Sequence, residues 1–207
     1  MEQKRTEIQN AMEILERHRI PSPSEKPEYA LSYQQVLALE NEYQPLEKGG
    51  YAPDTVYGFA EKLSDSINFD GQTDLPGLVR GLGGRITYLP YYEFKAEDGS
   101  VFLHDERQFD VILSDAVSPL RNRFTLAHEL GHRILHRPKA RSYAKRLDST
   151  PVEWEANWFA AGFLMPEGRF LAAAKRFRND ALALSSLFGV SEKAAQVRLD
   201  VLQKKAK

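Results

Sequence analysis

The sequence predicts an α+β domain, with a small antiparallel or mixed β-sheet packed against a mainly helical body. Three observations carry this expectation. Two cappable amphipathic stretches occupy residues 53–84, β-rich runs crowd into residues 85–115, and after Pro119 the apolar spacing becomes helical up to the C-terminus. With 207 residues, 42% of them hydrophobic, the chain can bury one good core and a small appended element.

Taken in order, residues 2–19 read as a polar helix with a thin apolar stripe of Ile8, Met12 (or Ala11) and Leu15. The stretch PSPSEKP, residues 21–27, breaks it as a linker. A short helix follows over Leu31–Tyr43, closed by Pro45 and the Gly49-Gly50 pair. Residues 1–50 have little to bury by themselves, so they are expected to form a helical N-terminal extension that packs on the main domain or binds a partner. The domain proper spans 51–207. It opens with the helix PDTVYGFAEKL, and TDLPGLVRGLGG adds a second, capped by Asp74 or Thr73 and ended by its glycines. RITYLPYY alternates as a strand does, and SVFLHDERQFDVILSD holds two β-rich runs joined by polar DERQ, the pattern of a hairpin.

Composition narrows the function classes. A net charge of −1 argues against a protein bound mainly to nucleic-acid phosphates. The absence of cysteine removes disulfides, thiolate metal sites and thiol nucleophiles, so a transition metal would need imidazole and carboxylate ligands. The charged N-terminus lacks a signal-peptide core and no run of about 18 apolar residues occurs, so a soluble, cytoplasmic protein without membrane contact is expected.

RFTLAHELGHRILH, residues 123–136, concentrates three of the five histidines at four-residue intervals. HELGH fits H-E-x-x-H: on a helix, His128 and His132 sit one turn apart and can reach one ion. Glu129, about 100° round the helix from His128, can meet a water beside that ion as a general base. Leu126, Ala127, Leu130 and Ile134 give the same helix a core face. Gly131 costs about 1 kcal/mol relative to alanine in a helix, which the close approach of another element would explain.

A catalytic zinc usually takes three protein ligands. His136 is one turn past His132, but three turns of a straight helix span about 12 Å, too far for all three rings to share an ion. It is therefore read as a supporting, substrate-side or structural residue. PVEWEANWFAAGFLMP, residues 151–166, offers the better third ligand. Pro151 suits a first helical turn with Thr150 as cap, and Glu153, Ala156, Asn157 and Ala160 share one face. Glu153 can supply the carboxylate while Asn157 fixes the tautomer of a ligand histidine. Glu155, about 200° from Glu153, ranks behind it. The alternative for Glu153 is an ordinary acid at a helix N-terminus, where the helix dipole favours one.

These blocks, SPLRNRFTLAHELGHRILH and VEWEANWFAAGFLMP, together with the tail LSSLFGVSEKAAQVRLDVL, resemble the ImmA/IrrE family of metallo-endopeptidases over residues 51–202. The resemblance implies a zincin-like fold, zinc held by His128, His132 and Glu153, Glu129 as base and Asn157 in support. It also implies a cytosolic protein substrate, a helix-turn-helix transcriptional repressor or an antitoxin-type regulator. Zinc would polarise the attacking water while Glu129 takes its proton and passes it to the leaving amine. His136, Tyr143 and His104 are candidates for the oxyanion donor or a substrate-side role.

Two rival readings use the same residues: a non-proteolytic binding module that sequesters a repressor or toxin, and a DNA-binding regulator acting through its C-terminal helices. LSSLFGVSEKAAQVRL has the helix–turn–helix form, although Leu184, Leu187, Phe188, Val190, Ala194, Val197, Leu199 and Leu202 suggest packing instead. RPKARSYAKR, residues 137–146, carries five basic residues in ten and reads as a solvated loop, or as one gripping an acidic substrate. Trp154, Trp158, Phe159 and Phe163 are expected in the core or lining a substrate cleft.

Overall fold

The computed structural model describes residues 31–46, 49–90, 99–105, 107–136, 141–145 and 150–205. The expected helix at 2–19 and the linker at 21–27 lie outside the described residues. Among those described there are eight helices and one five-stranded mixed sheet, an α+β fold. In chain order they are α1 (Tyr33–Glu42), β1 (Gln44–Pro45), α2 (Pro53–Ser66), α3 (Leu75–Gly81), β2 (Gly84–Leu89), β3 (Gly99–Leu103) and β4 (Phe109–Ser114). Then follow α4 (Pro119–Leu135), β5 (Ser142–Lys145), α5 (Pro151–Leu164), α6 (Glu167–Arg176), α7 (Ala181–Phe188) and α8 (Glu192–Lys205).

Local chemistry sets most of the boundaries. Ser32 and Gln35 form a reciprocal capping box at the start of α1. The Asp74 side chain accepts from Gly77 N–H to start α3, and Ser118 accepts from Arg121 N–H to start α4. Proline occupies the first turn of α2, α3, α4 and α5. Thr150 precedes α5 as expected, but its side chain makes no capping bond.

The sheet order is β1-β5-β3-β4-β2. The expected hairpin is present, with β3 antiparallel to β4 and Leu103 paired with Phe109. β2 runs parallel to β4 on the outer edge, while β5 is antiparallel to β3 and parallel to β1. Sequence periodicity missed β1 and β5, and β5 interrupts the continuous helical pattern expected after Pro119. The reason is physical: β1 has two exposed residues, and β5 is embedded in the basic run, so neither carries an apolar alternation of useful length.

Both faces of the sheet are covered. Ile86, Val101, Leu103, Phe109, Val111, Leu113 and Ala144 face the main core with α2–α8. Leu89, Phe102 and Ile112 face the other way, under Val36 of α1 and Tyr43. Burial on both sides explains why β3 and β4 read as nearly continuous apolar runs. Residues 31–46 are thus one layer of the structure. No helix among the described residues is long and apolar enough to cross a membrane.

The α1 side of the sheet holds a buried polar chain. Asp110 of β4 is fully buried and receives Arg85 of β2 through two bonds of 2.6 and 2.7 Å. It also lies 2.8 Å from His104 Nε2, and His104 Nδ1 meets the Tyr43 hydroxyl at 2.5 Å. Burial would raise the Asp110 carboxyl, but the hydrogen bonds from His104 and Arg85 outweigh it and hold the pKa below the ordinary value. A depressed folded-state pKa contributes stability above the unfolded value that disappears as pH falls through the folded one. Asp110→Asn should therefore lower stability by about 1–3 kcal/mol at neutral pH. Denaturant midpoints of the two proteins should converge below pH about 4.

Candidate metal centre

Helix α4 is amphipathic as expected, with Leu126, Ala127 and Leu130 buried in the core. Its other side carries His128, Glu129 and His132, all at most 1% exposed, each offering a donor atom within 4.8 Å of the others. Helix α5 packs against this side. Ala156 and Ala160 are fully buried, and a β-carbon at Gly131 would lie 3.1–3.2 Å from three atoms of Phe159. The glycine inside α4 is thereby explained: Phe159 occupies the space its side chain would take.

The docking brings Glu153 onto both histidines. Its Oε2 lies 3.0 Å from His128 Nε2 and its Oε1 lies 3.0 Å from His132 Nε2. The two Nε2 atoms are 3.1 Å apart. Three donors on one small triangle suit an ion: zinc bonds of about 2.0–2.1 Å in a tetrahedron set donors about 3.3 Å apart.

The surrounding hydrogen bonds assign the protons. His128 Nδ1 lies 3.1 Å from Asn157 Oδ1, which can only accept, so Nδ1 carries a hydrogen and Nε2 is turned towards Glu153. His136 Nε2 lies 2.9 Å from Glu155 Oε2 and donates to it. Burial lowers the His136 pKa despite the Glu155 carboxylate, and its Nδ1 lies 3.1 Å from His132 Nδ1. Burial would raise the Glu153 carboxyl, yet the adjoining His128 and His132 outweigh it and its pKa falls to about 2. Two imidazole nitrogens and a carboxylate, all buried, converge at 3.0–3.1 Å, the donor set a cation would share. The donor set fits a divalent metal.

Glu155, ranked behind Glu153 in the sequence, supports rather than rivals it. Its Oε1 accepts from the Gly50 and Tyr51 backbone N–H groups, the latter at 2.8 Å, while Oε2 takes the His136 proton. Burial raises its carboxyl, but His136, Tyr51 and Gly50 together bring the pKa below the usual range. The available sequence signal was the third histidine, which needed an acceptor once excluded as a ligand.

Other expected residues lie elsewhere. Tyr143 stacks on Phe102, with ring centroids 5.9 Å apart, on the α1 side of the sheet. His104 belongs to the Asp110 chain on that same side. His136 is 6% exposed behind His132, with its Nε2 on Glu155. Glu129 lies over the start of β3 beside Gly99 and Thr125. Phe159 and Phe163 stack in the core, Trp154 is half exposed, and Trp158 lines a groove of about 420 Å³ beside Asn157. In the tail, Leu184, Phe188, Val190, Leu199 and Leu202 are buried, whereas Leu187 and Val197 are about half exposed, contrary to the packing expected of them. Of the basic run, 137–140 and 146 lie outside the described residues.

Residues 81–200 match the family model Peptidase_M78, described as the IrrE N-terminal-like domain. No match was found among curated proteins. A solved Mycobacterium tuberculosis transcriptional regulator is similar over 82% of this chain and 52% of its own length, at 17% identity and a TM-score of 0.48. The chain therefore spans about half the length of that protein.

Gly131→Ala tests the link between packing and site. Phe159 stacks on Phe163 in the core and would have to shift by a few tenths of an ångström to admit the added methyl. Overpacking of about 1–3 kcal/mol should exceed the gain of about 1 kcal/mol in helix propensity. A lower unfolding midpoint and weaker metal binding in calorimetric titration are the expected results.

Proposed function

The chain belongs to the Peptidase_M78 family of IrrE N-terminal-like domains, and from that premise we propose that it is a zinc-dependent endopeptidase acting on a cytosolic protein. The observation that carries this reading is the triangle of His128 Nε2, His132 Nε2 and a Glu153 oxygen, with Glu129 buried beside it. Two imidazoles and one carboxylate are a donor set zinc accepts in hydrolytic sites, and they leave one position for water or substrate. A zinc ion held there would act as a Lewis acid towards the attacking water and the scissile carbonyl.

The chain's own residues supply the rest. Glu129 accepts the proton from the attacking water at its carboxylate and delivers it to the leaving amine nitrogen. Asn157 holds the His128 ring, and His136 with Glu155 holds the His132 ring, so both ligands keep their lone pairs aimed at one point. Burial of Glu129, His128 and His132 keeps bulk water from the base. The substrate implied by the resemblance is a helix-turn-helix repressor or an antitoxin-type regulator.

The purified protein should bind about one zinc per chain, and Glu153→Ala should lose most of it. Cleavage of candidate partners, followed by mass spectrometry, should fall about 10²- to 10⁴-fold in Glu129→Gln while zinc binding is retained. Equal cleavage by both proteins would end the protease reading, and capture of an intact partner by both would favour the sequestering module. Removing zinc with a chelator should also lower the unfolding temperature, because the ion binds only the folded arrangement.

A further inference from the structure

Residues 31–51 lie outside the 81–200 family match, yet they end on the metal centre. The described residues of this strap, 31–46 and 49–51, are anchored at several points. Val36 is fully buried on the sheet, the Tyr43 hydroxyl meets His104, and Gln44–Pro45 pairs with Ser142–Tyr143 of β5. Gln44 N–H donates to Arg141 O at 3.1 Å and Leu46 N–H donates to Tyr143 O at 2.9 Å. At Gly49 the backbone passes so near α5 that a β-carbon would lie 2.5 Å from Glu155 Oε1 and 3.0 Å from the Pro151 carbonyl carbon. The next two N–H groups, of Gly50 and Tyr51, both donate to that oxygen.

The contacts beyond Glu155 run in series. His136 Nε2–H donates to the carboxylate at 2.9 Å, and His136 Nδ1 lies 3.1 Å from His132 Nδ1. Each contact holds the next ring in its orientation, and the last nitrogen in the series is His132 Nε2. Without the two N–H groups, Glu155 would have a desolvated oxygen and no reason to keep its rotamer.

We propose that the strap is a clamp on the metal centre: the Gly50–Tyr51 backbone fixes Glu155 as a positioning residue, which acts through His136 to orient His132, so that metal affinity depends on the seating of residues 31–51. This inference rests on the metal-site reading above. It concerns binding rather than turnover, so it can be tested without a substrate.

The experiment uses the full chain as wild type, Glu155→Gln, Gly49→Val, His136→Ala and the double variant His136→Ala/Glu155→Gln. Zinc affinity is measured by competition with a chromophoric chelator, and the cobalt(II) form is followed by its visible absorption bands. Circular dichroism of the metal-free proteins checks that each is folded. In Glu155→Gln the new amide N–H group must face either His136 Nε2–H or the backbone donors, a donor against a donor. Gly49→Val displaces the same carboxylate from the strap side and touches no histidine. Both variants should bind zinc about 10- to 100-fold more weakly, with shifted cobalt bands. The double variant should bind no more weakly than His136→Ala, since the relay is already cut. If one single variant does not fold, the other decides. Folded variants with zinc affinity within twofold of wild type, or additive losses in the double variant, would overturn the clamp. A wild type that binds no zinc, or a His128→Ala variant that binds as tightly, would instead overturn the metal site itself.

Discussion

The packing of α5 against α4 is the constraint on which the rest of the site depends. Three alternate residues of α5 each act on a histidine of α4 or its C-cap: Glu153 on both Nε2 atoms, Glu155 on His136, and Asn157 on His128 Nδ1. A small slip of α5 would disturb all three contacts together. Its depth is set by small residues, Gly131 on one helix and Ala156 and Ala160 on the other, and by Phe159 filling the space over the glycine. Close-packed interiors transmit displacement rather than absorbing it. Core packing and ligand geometry are therefore one property of this helix pair.

Electrostatics points the same way as geometry. Glu129, Glu153 and Glu155 are all at most 4% exposed, and they gather near three buried imidazoles. Such carboxylates are costly to bury unless opposite charge or donors compensate them. Glu155 has its donors in His136 and two backbone N–H groups. Glu153 has His128 and His132 against its two oxygens, at 3.0 Å each, and these contacts hold its pKa down against burial. A divalent cation held there would take the same three groups as ligands.

The sequence revealed the elements that carry their own period or cap, and the site residues that share a helix face. His128, Glu129 and His132 were legible because a 3.6-residue turn brings them together, and Glu153 followed from the small-residue face it shares with Ala156, Asn157 and Ala160. Glu155 was not legible in its role: the angular argument that rejected it as a ligand was sound, but its partners are 19 and 105 residues away. Tyr143 and His104 were attractive as polar groups near the motif, yet strand alternation in β5 and the pairing of β3 with β4 put them on the far face. β5 itself was hidden because its pairing is imposed by neighbours on both sides, not by its own composition. Leu187 and Val197 show the limit of a packing argument from apolar character alone, since many exposed side chains are apolar.

Sequence separation also bears on how the centre is assembled. The His128–His132 pair is local and exists once α4 forms. Glu153 joins from 25 residues away, and the strap joins Glu155 across 105. Loop-closure entropy makes such distant contacts late unless other packing has already brought the chain together. Here the other packing is the sheet, because β5, the next described strand after α4, is held between β1 of the strap and β3. A lone α4 offers an ion two imidazoles with unfixed tautomers. Only the complete arrangement of strap, sheet and α5 offers three oriented donors, so a metal ion bound there would favour the fully assembled fold over its partly docked states.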